Sequence, residues 1–210
     1  MSRKRPRTGA QKPQNAARQG SRQAPEMGQL RIIGGQWRSR KLSFPAVDGL
    51  RPTGDRWRET LFNWLAPVIP GARCLDAFAG SGALGLEALS RGAAHCTFIE
   101  ANPKAARALQ SNMTLLSAEG GKIIAQSAEA ALTTISDRFD IVFLDPPFAM
   151  SIDELTEKID GICADQALIY YEKSPNMPFS APAHWQLEKH KQSGQIDACL
   201  YCVNRAAYKG

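Results

Sequence analysis

Two groups of residues in this 210-residue chain have the types and spacing to do chemistry. The first is the run Cys74-Leu75-Asp76-Ala77-Phe78-Ala79-Gly80-Ser81-Gly82-Ala83-Leu84-Gly85. Gly80, Gly82 and Gly85 form a G-x-G-x-x-G where an apolar run passes into a helical one, and small residues there let the backbone turn sharply and approach a ligand. Glu100 closes the next apolar run, 20 residues after Gly80, where a carboxylate can accept both hydroxyl hydrogens of a ribose. The combination predicts a cofactor containing adenosine; a glycine-rich turn by itself also serves to pack a helix on a strand. Asp76 narrows the choice. A dinucleotide would rest its pyrophosphate on the helix N-terminus, and a carboxylate at the strand's end repels it. That carboxylate suits a ligand with a cationic end, such as the ammonium and sulfonium of S-adenosylmethionine. The plainer role for Asp76 is a turn-stabilising bond to its own backbone.

The second group is Asp145-Pro146-Pro147-Phe148, directly after the apolar run Asp140-Ile141-Val142-Phe143-Leu144. In an open α/β sheet the ligand crevice lies beyond the carboxyl ends of the strands, where this tetrapeptide falls. Two prolines stiffen the loop and remove its N–H donors. What remains are acceptors, the Asp145 carboxylate and the Pro146 carbonyl, beside an apolar plate, Phe148. That set suits a planar ring bearing an NH₂ group. The competing reading has Asp145 capping the next helix and Phe148 filling the core.

The elements that must position these groups follow from the apolar pattern. From residue 71 onward, strand candidates Ala72–Phe78, His95–Glu100, Lys122–Gln126, Phe139–Leu144 and Ala167–Glu172 alternate with helical stretches Ala83–Ser90, Pro103–Leu116, Ala128–Ile135 and Ile152–Ile162. Such alternation predicts a doubly wound α/β fold, a parallel sheet covered on both faces. The rhythm then breaks: Trp185–Lys191 and Ile196–Asn204 flank a Gln-Ser-Gly-Gln turn and read as an antiparallel hairpin. Ahead of the sheet, residues 28–50 hold two apolar runs around Gly34-Gly35, which predict a small β-hairpin with Arg38, Arg40 and Lys41 near its second strand. Residues 53–65 predict a helix with Trp57, Leu61, Trp64 and Leu65 on one face, capped by Thr53 or Asp55 and closed by Pro67 and Pro70. The expected units are thus a basic tail, 1–27; a hairpin and helix, 28–70, facing RNA; and a catalytic domain, 71–210.

Charge is unevenly placed. Residues 1–60 hold 14 Lys/Arg against four Asp/Glu, a surplus of ten in a chain of net charge +6, so the remaining 150 residues carry −4. A basic front on a mildly acidic body points to a polyanion, nucleic acid, as partner. Residues 1–27 contain no Leu, Ile, Val or aromatic residue and read as a disordered basic arm, without the apolar stretch of a signal peptide or the apolar face of a transit helix. No apolar run approaches the roughly 20 residues of a membrane span. Five cysteines with no secretory signal point to a reducing cytoplasm. Cys199 and Cys202 form a lone C-x-x-C in a strand, where residues three apart face opposite ways, and the three histidines are scattered, so no metal site is expected.

The runs DAFAGSGALGLEA and DPPF, with Glu100, resemble the class I S-adenosylmethionine-dependent amino methyltransferases. Together with RIIGGQWRSRKL and GLRPTGDRWRETLFNWL they are similar to the RsmD family, bacterial guanine-N2 methyltransferases of small-subunit (16S) ribosomal RNA, over residues 30–204. The resemblance implies a Rossmann-like, seven-stranded sheet ending in an antiparallel hairpin. It implies S-adenosylmethionine as cofactor: Asp76, Ala77, Gly80 and Gly82 about its methionine part, Glu100 on the ribose, Ser127 and Ala128 beside the adenine, with Ser81, Ala101 and Asp145 completing the pocket. Many relatives carry Asp or Asn where Ser127 stands. Asp145, Pro146, Pro147 and Phe148 become the catalytic loop, and Arg38, Arg40, Lys41, Arg51, Arg56 and Arg58 the groups that hold the RNA backbone. The implied substrate is the small-subunit (30S) particle, and a cytoplasmic monomer is expected. The residues leave three other activities open: methylation of adenine N6, a nicotinamide-dependent oxidoreductase, and a non-catalytic RNA-binding factor.

Overall fold

The computed structural model describes residues 27–45, 54–147 and 150–206. The basic arm, Thr53, Arg51 and Phe148 lie outside them. A two-stranded antiparallel sheet, β1 (Met27–Arg31) and β2 (Lys41–Pro45), pairs Leu30 with Leu42. Helix α1 (Asp55–Leu65) follows. Then come β3 (Arg73–Asp76), α2 (Ala83–Ser90), β4 (His95–Ile99), α3 (Pro103–Leu116), β5 (Gly121–Ile124), α4 (Ala128–Thr134) and β6 (Phe139–Leu144). A 3-10 turn leads into α5 (Thr156–Ile162), β7 (Cys163–Lys173), β8 (Trp185–Ser193) and β9 (Ile196–Val203).

The larger sheet has seven strands in the order β5-β4-β3-β6-β7-β9-β8. β5, β4, β3, β6 and β7 run parallel, and β9 is antiparallel to both β7 and β8. The chain winds outward from β3 through β4 to β5, then returns to place β6 on the other side of β3. The ends of β3 and β6 therefore flank the reversal point where such sheets bind ligands.

Each face of the sheet carries its own core. On one, Cys74, Phe98, Ile141, Phe143, Tyr170 and Leu200 meet α1, α2, α3 and the small sheet. On the other, Leu75, Val142, Leu144, Ile169 and Tyr171 meet α4 and α5. The small sheet lies against α3, and the connection between its strands bonds α2, which packs on β3 and β4; every residue of α2 is buried, including Glu87. Glu87 accepts the backbone N–H of Ile33 (2.8 Å) and Gly34 (2.7 Å) and the Arg91 Nε–H (2.7 Å). The Gly34-Gly35 pair has a spatial cause: a side chain at Gly34 would strike the Arg91 guanidinium, and at Gly35, with φ of +75°, the Ser90 carbonyl.

Helix α1 departs from expectation. Gly54, which has no side chain to cap with, takes the N-cap position, and the Asp55 carboxylate bonds Arg31 and Arg58 instead (2.7 and 2.6 Å). The buried face is Arg58, Leu61, Phe62 and Leu65, while Trp57 and Trp64 are only half-buried. β7 also starts four residues earlier than expected, at Cys163, through an irregular pairing with β6. Among the described residues no helix is long and apolar enough to cross a membrane.

Candidate active site

Asp76 ends β3 and is buried, and one of its oxygens accepts the Gly85 N–H at 3.0 Å. This bond ties the strand's last residue to the first turn of α2. Between them the chain turns through Gly80 (φ +53°) and Gly82 (φ +80°), left-handed conformations that favour glycine. Gly85 packs edge-on to Phe98 and Cys96, so the helix can lie close on β4. Ala77 donates to the Phe143 carbonyl (3.1 Å) and Ala79 to the Ile99 carbonyl (2.9 Å), holding the loop across the ends of β6 and β4.

Glu100 braces the same loop. Its Oε2 accepts the Gly80 N–H at 2.7 Å and its Oε1 the Asn102 N–H at 2.6 Å. Each carboxylate oxygen offers about two acceptor directions, so both can still receive a ribose hydroxyl. Asn102 caps α3 by accepting from Lys104 and Ala105, and Pro103 fills the first helical position. Ser127, exposed after β5, caps α4 through a bond from Ala130 N (3.4 Å), and Ala128 next to it is buried. Ser81 is buried in the turn and Ala101 is exposed at its edge.

Asp145 follows β6, half-buried, with Pro146 buried and Pro147 exposed; the Pro147 carbonyl accepts the Met150 N–H at 2.8 Å. The register pairs Asp76 with Phe143, and Phe143 with Tyr170. Two residues further along, Asp145 and then Glu172 lie on that same face. Glu172 is buried and accepts the Tyr170 hydroxyl at 2.8 Å. Sequence reasoning missed it, because the carboxylate it stands beside belongs to another strand.

The charges act on one another. Burial pushes the Asp76 carboxyl up to about 7; the Gly85 and Phe78 N–H groups oppose that, and the charges of Asp145 and Glu100 add to it. Burial and then the Asp145 charge push Glu172 up to about 8, against the Tyr170 hydroxyl. Asp145 therefore lies near enough to both Asp76 and Glu172 for its charge to act on each. The ends of β3, β4, β6 and β7 thus gather carboxylates at a cost in desolvation, which a cationic ligand would relieve. The donor set fits a sulfonium and an ammonium and opposes a pyrophosphate.

The basic candidates separate. Arg38, Arg40, Lys41 and Arg56 are exposed. Arg58 is not an RNA contact: it is 1% exposed and its guanidinium meets Asp55, the Arg31 carbonyl (2.9 Å) and Glu87. An arginine three and four residues before Leu61 and Phe62 falls on the buried stripe of α1. Lys191, which sequence reasoning passed over, reaches from β8 to the Trp57 ring (5.0 Å) and Thr60 Oγ1 (3.1 Å). Cys199 is buried and Cys202 half-buried on β9. The histidines are less scattered than expected: His190 and Lys173 share the Asp197 carboxylate at 2.6 and 2.7 Å, near Cys199. The Lys173 ammonium marks this group as an ion-pair cluster across β7, β8 and β9.

The family model described as "Conserved hypothetical protein 95" matches residues 30–202. The chain is 50% identical to the Ribosomal RNA small subunit methyltransferase D of Escherichia coli K12, over 83% of this chain and 90% of that one. It is 45% identical to the protein of the same name in Haemophilus influenzae, over 83% and 94%. Among solved structures, the yhhF protein of Escherichia coli superposes with a TM-score of 0.77 at 47% identity, covering 84% of this chain and 99% of that one. With the glycine turn, the acid pair and the doubled glycine under α2 all in place, the chain belongs to the RsmD family of methyltransferases.

Proposed function

We propose that this protein transfers a methyl group from S-adenosylmethionine to the exocyclic N2 amino group of a guanine in small-subunit (16S) ribosomal RNA, acting in the cytoplasm, as a monomer, on a small-subunit particle. The observation that carries the reading is the meeting of Asp76 and Asp145 at the ends of adjacent strands, on one face, beside the glycine turn. The names of the curated relatives support the ribosomal substrate.

Bound cofactor supplies an electrophilic methyl on a sulfonium. The chain's part is alignment and charge. Asp76, with the backbone of Ala77, Gly80, Ser81 and Gly82, receives the methionine end; Glu100, beside Ala101, receives the ribose; Ser127 and Ala128 border the adenine. The Asp145 carboxylate and Pro146 carbonyl accept the two N–H groups of the amine. This draws its lone pair out of conjugation with the ring and aims it along the transfer axis. Asp145 would take the surplus proton of the methylated amine and pass it to solvent. The target base must leave its stack to reach this corner. Arg38, Arg40, Lys41 and Arg56 hold the RNA backbone without reading sequence.

The test incubates the full chain with unmodified small subunits and tritiated cofactor, followed by nucleoside mapping. Label in N2-methylguanosine supports the reading, and label confined to adenosine overturns it in favour of an N6 methyltransferase. Asp145→Ala should keep cofactor binding and lose transfer.

A further inference from the structure

Glu172 has no part in the scheme above, yet it is a buried carboxyl group one strand away from Asp145. Resting on the proposed methyl transfer, we infer that Glu172 is a positioning residue: as a neutral acid it donates a hydrogen bond to the Asp145 carboxylate and holds it toward the amine of the target base.

The geometry carries this in three steps. β6 and β7 are paired in parallel through Phe143–Tyr170 and Leu144–Tyr171. The next step sets Asp145 beside Glu172, with adjacent strands about 4.8 Å apart. Second, the Tyr170 hydroxyl donates to Glu172 Oε2 at 2.8 Å, which assigns that oxygen as acceptor and leaves Oε1 to carry a proton. Third, the surroundings favour the neutral form. Asp145 faces Glu172 from β6, with Asp76 beyond it on β3. Across β9 stands Ala198, and past it Lys191 of β8, whose ammonium is engaged by Trp57 and Thr60. From α1, Phe62 packs on Phe143 of this face, and Arg58 is taken up by Asp55 and Glu87. Lys173 points to the other face, to Asp197. Burial and the Asp145 charge hold the Glu172 carboxyl at about 8, so it keeps its proton at neutral pH.

Ionising Glu172 would place a second negative charge beside Asp145 and withdraw the donor. Turnover should therefore decline on the alkaline side through this group. The Tyr170 hydroxyl favours the charged form of Glu172, so removing it should move that decline to higher pH.

The experiment measures kcat and KM for both substrates from pH 6 to 10, using the full chain, tritiated S-adenosylmethionine and unmodified small subunits. Glu172→Gln preserves the shape and a donor, and is expected to stay near wild-type kcat at pH 7.5 and to lose the alkaline decline attributed to Glu172. Glu172→Ala is expected to lower kcat about tenfold to a hundredfold, the loss of one hydrogen bond to a charged group, with KM for the cofactor little changed. Tyr170→Phe is expected to shift the decline upward. An unaltered pH profile in Glu172→Gln, or full turnover in Glu172→Ala, overturns the inference while leaving the methyltransferase intact. A wild-type chain that transfers no methyl to any subunit overturns the function itself.

Discussion

Glu100 Oε2 accepts the Gly80 N–H at 2.7 Å, so the residue after β4 shapes the loop after β3. The same carboxylate braces Asn102. Glu100→Ala leaves two backbone donors without their acceptor, and Glu100→Gln sets an NH₂ against one of them. Both variants should bind S-adenosylmethionine at least about tenfold more weakly, since hydrogen bonds to charged groups are worth roughly 1.5–3 kcal/mol. Calorimetric titration checks the affinity, and faster exchange of the Gly80 amide would trace the loss to the loop.

Asp76 makes cofactor affinity depend on pH. Its carboxyl sits at about 7, above the ordinary carboxylate value near 4, because it is buried. Below pH 7 it holds a proton, and a cationic ligand must displace it. Affinity for S-adenosylmethionine should weaken as pH falls through 7, by up to about tenfold per unit. Stability of the ligand-free protein runs the other way. Between about pH 4 and 7 the folded chain holds a proton that the unfolded chain has released, so stability falls as pH rises. Asp76→Asn should therefore stabilise the free protein above pH 7 by about 1–3 kcal/mol while flattening and weakening cofactor binding. Denaturant melts at pH 5 and 8 measure the first effect; a variant no more stable at pH 8 would contradict it.

Glu87 and Arg58 form a buried charge pair whose partners span three elements. Glu87→Ala abandons a buried guanidinium and two backbone donors. It should destabilise the fold by about 3–5 kcal/mol, lowering the melting midpoint by roughly 10 °C for a chain of this size. Hydrogen exchange should rise first at Ile33 and Gly34.

The exposed cations should behave differently. Alanine at Arg38, Arg40 and Lys41 together should raise KM for small subunits and reduce its salt dependence, leaving cofactor affinity and the melting point unchanged. Arg58→Ala should lower the melting point instead, which separates the structural arginine from the surface ones.

Gly85 tests how tightly the turn is packed. An added methyl would enter the edge of the Phe98 ring and the Cys96 sulfur. Gly85→Ala should cost about 1–3 kcal/mol by overpacking, read as a lower denaturation midpoint.

Much of this was legible in the chain. The bounds of α2 and α3 match the apolar pattern, and α3 shows why: Asn102 caps it and Pro103 begins it, local signals that need no tertiary context. Asp76, Gly80, Glu100 and Asp145 fall where strand ends put them. Less visible was anything decided across elements. Arg58 has the chemistry of a surface cation, and only partners on other elements, Glu87 and the Arg31 carbonyl among them, make it a core residue. Glu172 closes an apolar run like any strand-ending acid; its meaning comes from the β6–β7 register. Thr53 and Asp55 both fitted a cap, but Asp55 had two arginines competing for it.

Helix α2 joins both ends of the molecule's task. Its N-cap is Gly82, in the glycine turn, and it finishes at Ser90, whose carbonyl and hydroxyl receive the Gln36 and Trp37 N–H groups at 2.7 and 3.0 Å. Eight residues span about 12 Å. The β1–β2 connection and the glycine turn are therefore held at opposite ends of one buried rod, so a shift at either end is transmitted to the other.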